Sequence, residues 1–98
     1  MTAMNVVRMK VKPGQEKAYL DAQNDSDRSQ YQGMRSVRVV KTGEREYIIV
    51  GEWDSMDALV AARPAMIATL DRIRGMLEDM GGDLGVTDPR SGEVVLSF

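Results

Sequence analysis

The stretch from Arg45 to Trp53 constrains the fold of this chain more than any other. Tyr47, Ile48, Ile49 and Val50 follow one another, and aromatic and β-branched side chains fit best on a pleated, packed surface. In a strand, Tyr47, Ile49, Gly51 and Trp53 share one face, and Ile48, Val50 and Glu52 share the other. Both faces are largely apolar. The strand is therefore expected to lie inside a sheet and to be covered on both sides.

The flanking sequence supplies neighbours for it. Arg35 to Lys41 reads as a second strand, and Thr42-Gly43-Glu44 as a turn, so the two strands predict an antiparallel hairpin. Asn5 to Lys12 alternates, with Val7, Met9 and Val11 on one side, and reads as a half-buried strand stopped by Pro13-Gly14. A first helix is expected from Gln15 to about Gln32, with Gly33 as its stop. Asp54-Ser55 reads as an N-cap for a short helix to about Ala62. Pro64 interrupts that helix or starts a new one. Met66, Leu70, Ile73, Leu77 and Met80 then form one apolar stripe ending at Gly81-Gly82. Asp88 to Gly92 reads as a turn, and Glu93 to Phe98 as a last strand.

The order β-α-β-β-α-β is the ferredoxin-like split arrangement: an α+β fold with a four-stranded antiparallel sheet and two helices on one face. Two helices cover one side of the sheet only. The simplest cover for the other side is the sheet of a second copy, so a homodimer is expected. The 98 residues are read as a single domain, 1–98.

Composition narrows the chemistry. There is no Cys and no His, which removes disulfides, thiolate nucleophiles, Cys/His zinc sites, imidazole bases and His-ligated haem. No metal or other cofactor is therefore expected. Thirteen Lys and Arg against fifteen Asp and Glu leave a formal charge of −2, so nucleic acid is not an expected partner. No apolar run approaches the roughly 18 residues of a membrane span, and the N-terminus lacks the pattern of a signal peptide. The expectation is a cytoplasmic protein without a membrane partner.

The order of small motifs resembles the antibiotic-biosynthesis-monooxygenase-like family of dimeric α+β barrels. Val11-Lys12-Pro13-Gly14 runs into a helix beginning Gln15-Glu16, and Gly33 follows that helix. Glu52-Trp53-Asp54-Ser55 closes the third strand and opens the second helix, which contains Ala58. The likeness covers roughly residues 5–75. It implies a homodimer whose sheets pack into a barrel, with a cleft in each protomer between sheet and helices. Members of the family oxidise polyketide-like phenols without metal or flavin, degrade haem, or act on quinols, and many have no assigned activity. The haem-degrading branch carries an Asn, a Trp and a His at places that hold Val7, Ala62 and Arg72 here. The resemblance thus implies a cofactor-independent, monooxygenase-like protein for a small aromatic or quinol-like molecule. The alternative is a non-catalytic small-molecule-binding or interaction module of the same dimeric fold.

The first helix carries the candidate site. Tyr19, Gln23, Asp27 and Gln30 fall near one face, and so do Leu20, Asn24, Asp27 and Tyr31. Beyond Ala22 the apolar stripe fades. The segment is either a polar lining that orients a ligand or a solvated helix end fraying toward Gly33. Tyr47 and Trp53 share a strand face, with Gly51 leaving a gap where a flat molecule could stack. The expected substrate-binding set is Tyr19, Gln23, Asp27, Tyr31, Tyr47 and Trp53. No catalytic residue is assigned, and without His the base would be Asp27, a Tyr or water. Arg8 and Arg38 either face an anionic ligand group or are solvated and paired, whereas Arg72 and Arg74 read as surface charges.

Overall fold

The computed structural model describes residues Met1–Phe98. The first strand, β1, spans Ala3–Lys10, and β3 spans Glu46–Trp53, paired antiparallel from Ala3↔Trp53 to Lys10↔Glu46. These two form the middle of the sheet. The strand β2 (Met34–Gly43) borders β3 and β4 (Asp88–Glu93) borders β1, giving the order β2-β3-β1-β4. The helices α1 (Glu16–Asp25) and α2 (Met56–Ile73) complete the ferredoxin-like α+β fold. The apolar strand β3 is interior, as its sequence requires.

The helix α1 ends at Asp25, not near Gln32. Short polar side chains take over the backbone hydrogen bonding there. Ser26 is extended (φ −59°, ψ 135°), and its hydroxyl donates to the Ala22 carbonyl at 3.2 Å. The Asp27 carboxylate accepts from the Ser29 N–H at 3.0 Å and the Ser29 hydroxyl at 2.6 Å. Such local bonds compete with helix continuation.

The second helix is continuous through Pro64, where a break or a new start was expected. Its buried residues, Leu59, Ala62 and Ile73, lie on both sides of the proline. Their packing outweighs the roughly 3 kcal/mol that an interior proline costs. The Ser55 hydroxyl caps the helix by accepting from the Ala58 N–H at 3.1 Å. The helix stops at Ile73 and passes through a 3-10 turn, Arg74–Met76, well short of Gly81. The chain there pairs with the end of the first strand instead: Lys12 N–H donates to Met76 at 2.8 Å, and Glu78 N–H to Lys10 at 2.7 Å.

The last strand also differs. The strand β4 is Asp88–Glu93, the segment read as a turn, and Val94–Phe98 is not a strand. The partner strand explains this. Ala3, the first residue of β1, pairs with Glu93, and beyond it only the Thr2 carbonyl remains, taken by the Val94 N–H at 2.8 Å. Pro89 is tolerated because an edge strand has one side without ladder bonds. Val95 and Leu96 are consequently 87% and 71% exposed.

Only 11 of 98 residues are buried, so the core is thin. It forms two clusters on the helix side of the sheet. One gathers Met9, Val11, Tyr19, Tyr47, Ile73 and Leu77; the other gathers Ala3, Trp53, Leu59 and Ala62. The opposite sheet face has no cover within the chain. Val6 and Val40 on it are 38% and 45% exposed, and Ile48 and Val50 are half-buried.

Candidate functional site

A cavity of about 480 Å³ lies between the helix side of the sheet and the two helices. Its polar end is built from two adjacent strands. Asn5 on β1 sits opposite Gly51 on β3, and Trp53 lies two residues further along β3. The Trp53 indole N–H donates to Asn5 Oδ1 at 2.8 Å. Gly51 makes that bond possible, because a Cβ there would collide with Asn5 Oδ1. With Oδ1 held by the indole, the Nδ2 group of Asn5 is the edge of the amide left for a ligand.

Gly33 does similar work at the chain reversal before β2. Its φ is +85°, and a Cβ would stand 2.7 Å from the Ala58 Cβ. Its carbonyl accepts from the Asp54 N–H at 2.8 Å. This close approach brings the loop after α1 against the start of α2, and the loop places Tyr31 over the cavity. The Tyr31 ring stands edge-on to Trp53, with centroids 6.2 Å apart. Its hydroxyl is 2.5 Å from Thr69 Oγ1, and Thr69 donates its own proton to the Ala65 carbonyl at 3.1 Å. Thr69 has one proton to give, so Tyr31 donates to Thr69. Val7, Ile49, Leu59, Met66 and Leu70 supply apolar wall.

Three of the six expected binding residues, Gln23, Tyr31 and Trp53, border this cavity. Tyr19 and Tyr47 do not. They stack in the neighbouring core, with ring centroids 5.1 Å apart. The Tyr19 hydroxyl donates to Met9 Sδ at 3.0 Å, and burial pushes its pKa up to about 12. The Tyr47 hydroxyl donates to Glu16 Oε2 at 2.5 Å, a bond that raises the Tyr47 pKa and, with Lys41, lowers that of Glu16. Asp27 is exposed and turned to Ser29, whose hydrogen bonds hold its carboxyl below the usual range. Asp27 therefore cannot be the base at this cavity. Arg8 pairs with Glu46 at 3.3 Å and Asp88 at 3.4 Å, away from the cavity, and Arg38 does not border it either.

Asn5, Arg28, Arg63, Thr69 and Ser91 border the cavity and were not anticipated. Asn5 left a signal: it shares strand parity with Val7, Met9 and Val11, a lone amide on an apolar face. The other four depend on where the loop, α2 and β4 fall. No group of three or more His, Cys, Asp or Glu is arranged to hold a metal ion.

The fold and this cavity define a ferredoxin-like α+β protein with a ligand-sized chamber between sheet and helices. The chain belongs to the antibiotic biosynthesis monooxygenase family, whose sequence pattern it matches over residues 2–65. No curated protein matches it. Solved structures share the whole fold. A Chloroflexus aurantiacus protein, provisionally named an antibiotic biosynthesis monooxygenase, aligns at a TM-score of 0.73 and 17% identity, covering 100% of this chain and 97% of that one. The NE2512 protein of unknown function from Nitrosomonas europaea aligns at 0.76 and 17%, covering 99% and 92%. Rv0793 from Mycobacterium tuberculosis aligns at 0.75 and 13%, covering 99% and 98%. Identities this low carry the fold and no more.

Proposed function

We propose that this protein is a cofactor-independent, monooxygenase-like enzyme for a small aromatic or quinol-like molecule, acting as a homodimer in the cytoplasm. The observation that carries the reading is the fixed Asn5 amide beside Trp53 in a largely apolar chamber. A flat substrate would lie against Trp53 and Tyr31, with an oxygen at Asn5 Nδ2. That amide would stabilise the negative charge a substrate hydroxyl acquires as it loses its proton to water, before the ring gives electrons to oxygen, and its orientation is set in advance by the indole. The apolar walls would exclude water, and the electron-rich substrate would itself reduce oxygen. The family membership supports the reaction type, not the substrate.

One observation favours the second reading, a binding module without catalysis. No Asp, Glu or His lines the cavity, so no side chain there is an evident general base. An oxygen electrode separates the two. With 1,4-dihydroxynaphthalene, the enzyme reading expects oxygen uptake well above spontaneous oxidation. Asn5→Ala should lower the protein-dependent rate by about a hundredfold, the usual effect of losing one preorganised donor. Binding of the quinol without any protein-dependent uptake would leave only the binding module.

A further inference from the structure

We propose that the cavity takes a flat apolar molecule bearing a carboxylate, held by Arg63 and Arg28. The inference rests on the reading that this cavity binds a small molecule, and adds the chemical class of the ligand. The charges around the cavity are of one sign: Arg28, Arg63 and Arg90 border it and no Asp or Glu does. Away from the cavity, Arg8, Arg35, Arg45 and Arg74 are matched to carboxylates, as in Arg35–Asp54 at 2.6 Å, Arg45–Glu78 at 3.0 Å and Arg74–Asp71 at 3.0 Å, whereas Arg38 and Arg72 are not. Arg90 is matched too, with Asp88 at 3.2 Å.

Arg28 and Arg63 border the cavity without a carboxylate partner, and each is hydrogen-bonded to one neutral oxygen. Arg28 Nη2 donates to the Gln23 carbonyl at 2.6 Å, and Arg63 Nη2 to Ser91 Oγ at 3.2 Å. These bonds leave both charges unneutralised and most of the five N–H groups of each side chain available, with Arg28 half-buried and Arg63 exposed. A planar fork of donors fits the two oxygens of a carboxylate, and charge-assisted bonds of this kind are the strong ones. A phenol hydroxyl, which the proposed reaction places at Asn5, does not satisfy the two guanidiniums. It is neutral near pH 7 and presents one oxygen, and no carboxylate or imidazole lines the cavity to take its proton. A ligand that arrives already ionised needs no such base. Trp53, Leu59 and Met66 would hold its apolar body.

Calorimetric titration with 2-naphthoate and its neutral isostere 2-naphthamide, at neutral pH and low salt, tests this. The expected result is an acid bound at least about tenfold tighter than the amide, as for one charge-assisted pair. Added salt should erode that preference without weakening the amide. Arg63→Gln and Arg28→Gln should each reduce the preference while keeping amide binding, and Arg72→Gln, on α2 but off the cavity, should change neither ligand. If a variant loses both ligands through misfolding, the salt dependence of the wild type decides, and a salt-independent preference overturns the proposal. Equal binding of acid and amide overturns the proposal and leaves the cavity as a binding site. Binding of neither compound overturns both.

Discussion

Gly51 is the residue on which the polar end of the cavity depends. Its backbone is ordinary strand, so any side chain could adopt it; what excludes a larger residue is the Asn5 amide above it. Gly51→Ala should force Asn5 off the indole N–H and cost about 1–3 kcal/mol, from overpacking and a lost buried bond. In an Asn5→Ala background the same change should cost at least about 1 kcal/mol less, because the nearer obstacle is gone and only Trp53 Nε1, at 3.0 Å, remains. Urea denaturation of the four proteins in the cycle measures this, and strictly additive costs would disprove the link between Gly51 and Asn5. The same residues show what could be read from the sequence at this scale. Trp53 and Gly51 were legible as a pair because they share a strand face. Asn5 was the missing partner, since strand pairing rather than sequence distance brings it within 2.8 Å of the indole. Tyr19 and Tyr47 looked like ligand contacts because amphipathic rings suit both a pocket and a core. Their hydroxyls found protein partners, Met9 and Glu16, and that decides for the core.

At the scale of elements, the start of α1 is tied to the sheet by Glu16, which accepts from Tyr47 on β3 and from Lys41 on β2 at 2.9 Å. These bonds lower the Glu16 pKa and raise those of Tyr47 and Lys41. For Glu16 the folded value lies below the unfolded one, so its contribution is present above the ordinary Glu range and is lost as pH falls through the folded value. For Tyr47 and Lys41 the folded values are raised. Their contribution is complete below the unfolded values and disappears as pH rises through the folded ones. The tie is therefore intact around neutrality and weakens at both extremes. Tyr47→Phe should move the Glu16 carboxyl titration, followed by NMR, upward toward its ordinary value; no movement would show that the hydroxyl does not hold the carboxylate. The elements themselves were legible where periodicity ran over several turns or residues, as in β1, β3 and the stripe of α2. Their ends were not. The α1 terminus depends on Ser26 and Asp27 bonding locally, and the end of α2 on a bridge from Leu77 back to Val11. The position of β4 depends on where β1 runs out. Val94, Leu96 and Phe98 alternate as a strand would, but without a neighbouring strand the pattern has nothing to pair with.

For the whole molecule, the decisive imbalance is between the two faces of the sheet. The helices cover the face that carries Tyr47, Gly51 and Trp53, all buried. The other face presents Val6, Val40, Ile48 and Val50 with no cover from the chain, and apolar side chains on adjacent strands form one surface. A core with so few buried residues gains from closing that face. A second copy is a fitting occupant, because a two-fold axis lets the same patch cover itself, and the family resemblance implies the same arrangement. The expected interface exceeds the roughly 1,000 Å² of a specific contact and is centred on these strand residues. Light scattering at tens of micromolar should give twice the 10.9 kDa of the chain. Ile48→Lys would set a cation directly across the strand pair from Arg8 in each copy, burying like charges in the interface, and should weaken association by about a hundredfold or more. The substitution lies on the face away from the cavity, so the variant should remain folded as judged by its near-ultraviolet signal from Trp53. A wild-type mass of 10.9 kDa at that concentration, with the fold intact, would show that the open face is tolerated by a single chain and would remove the case for a dimer.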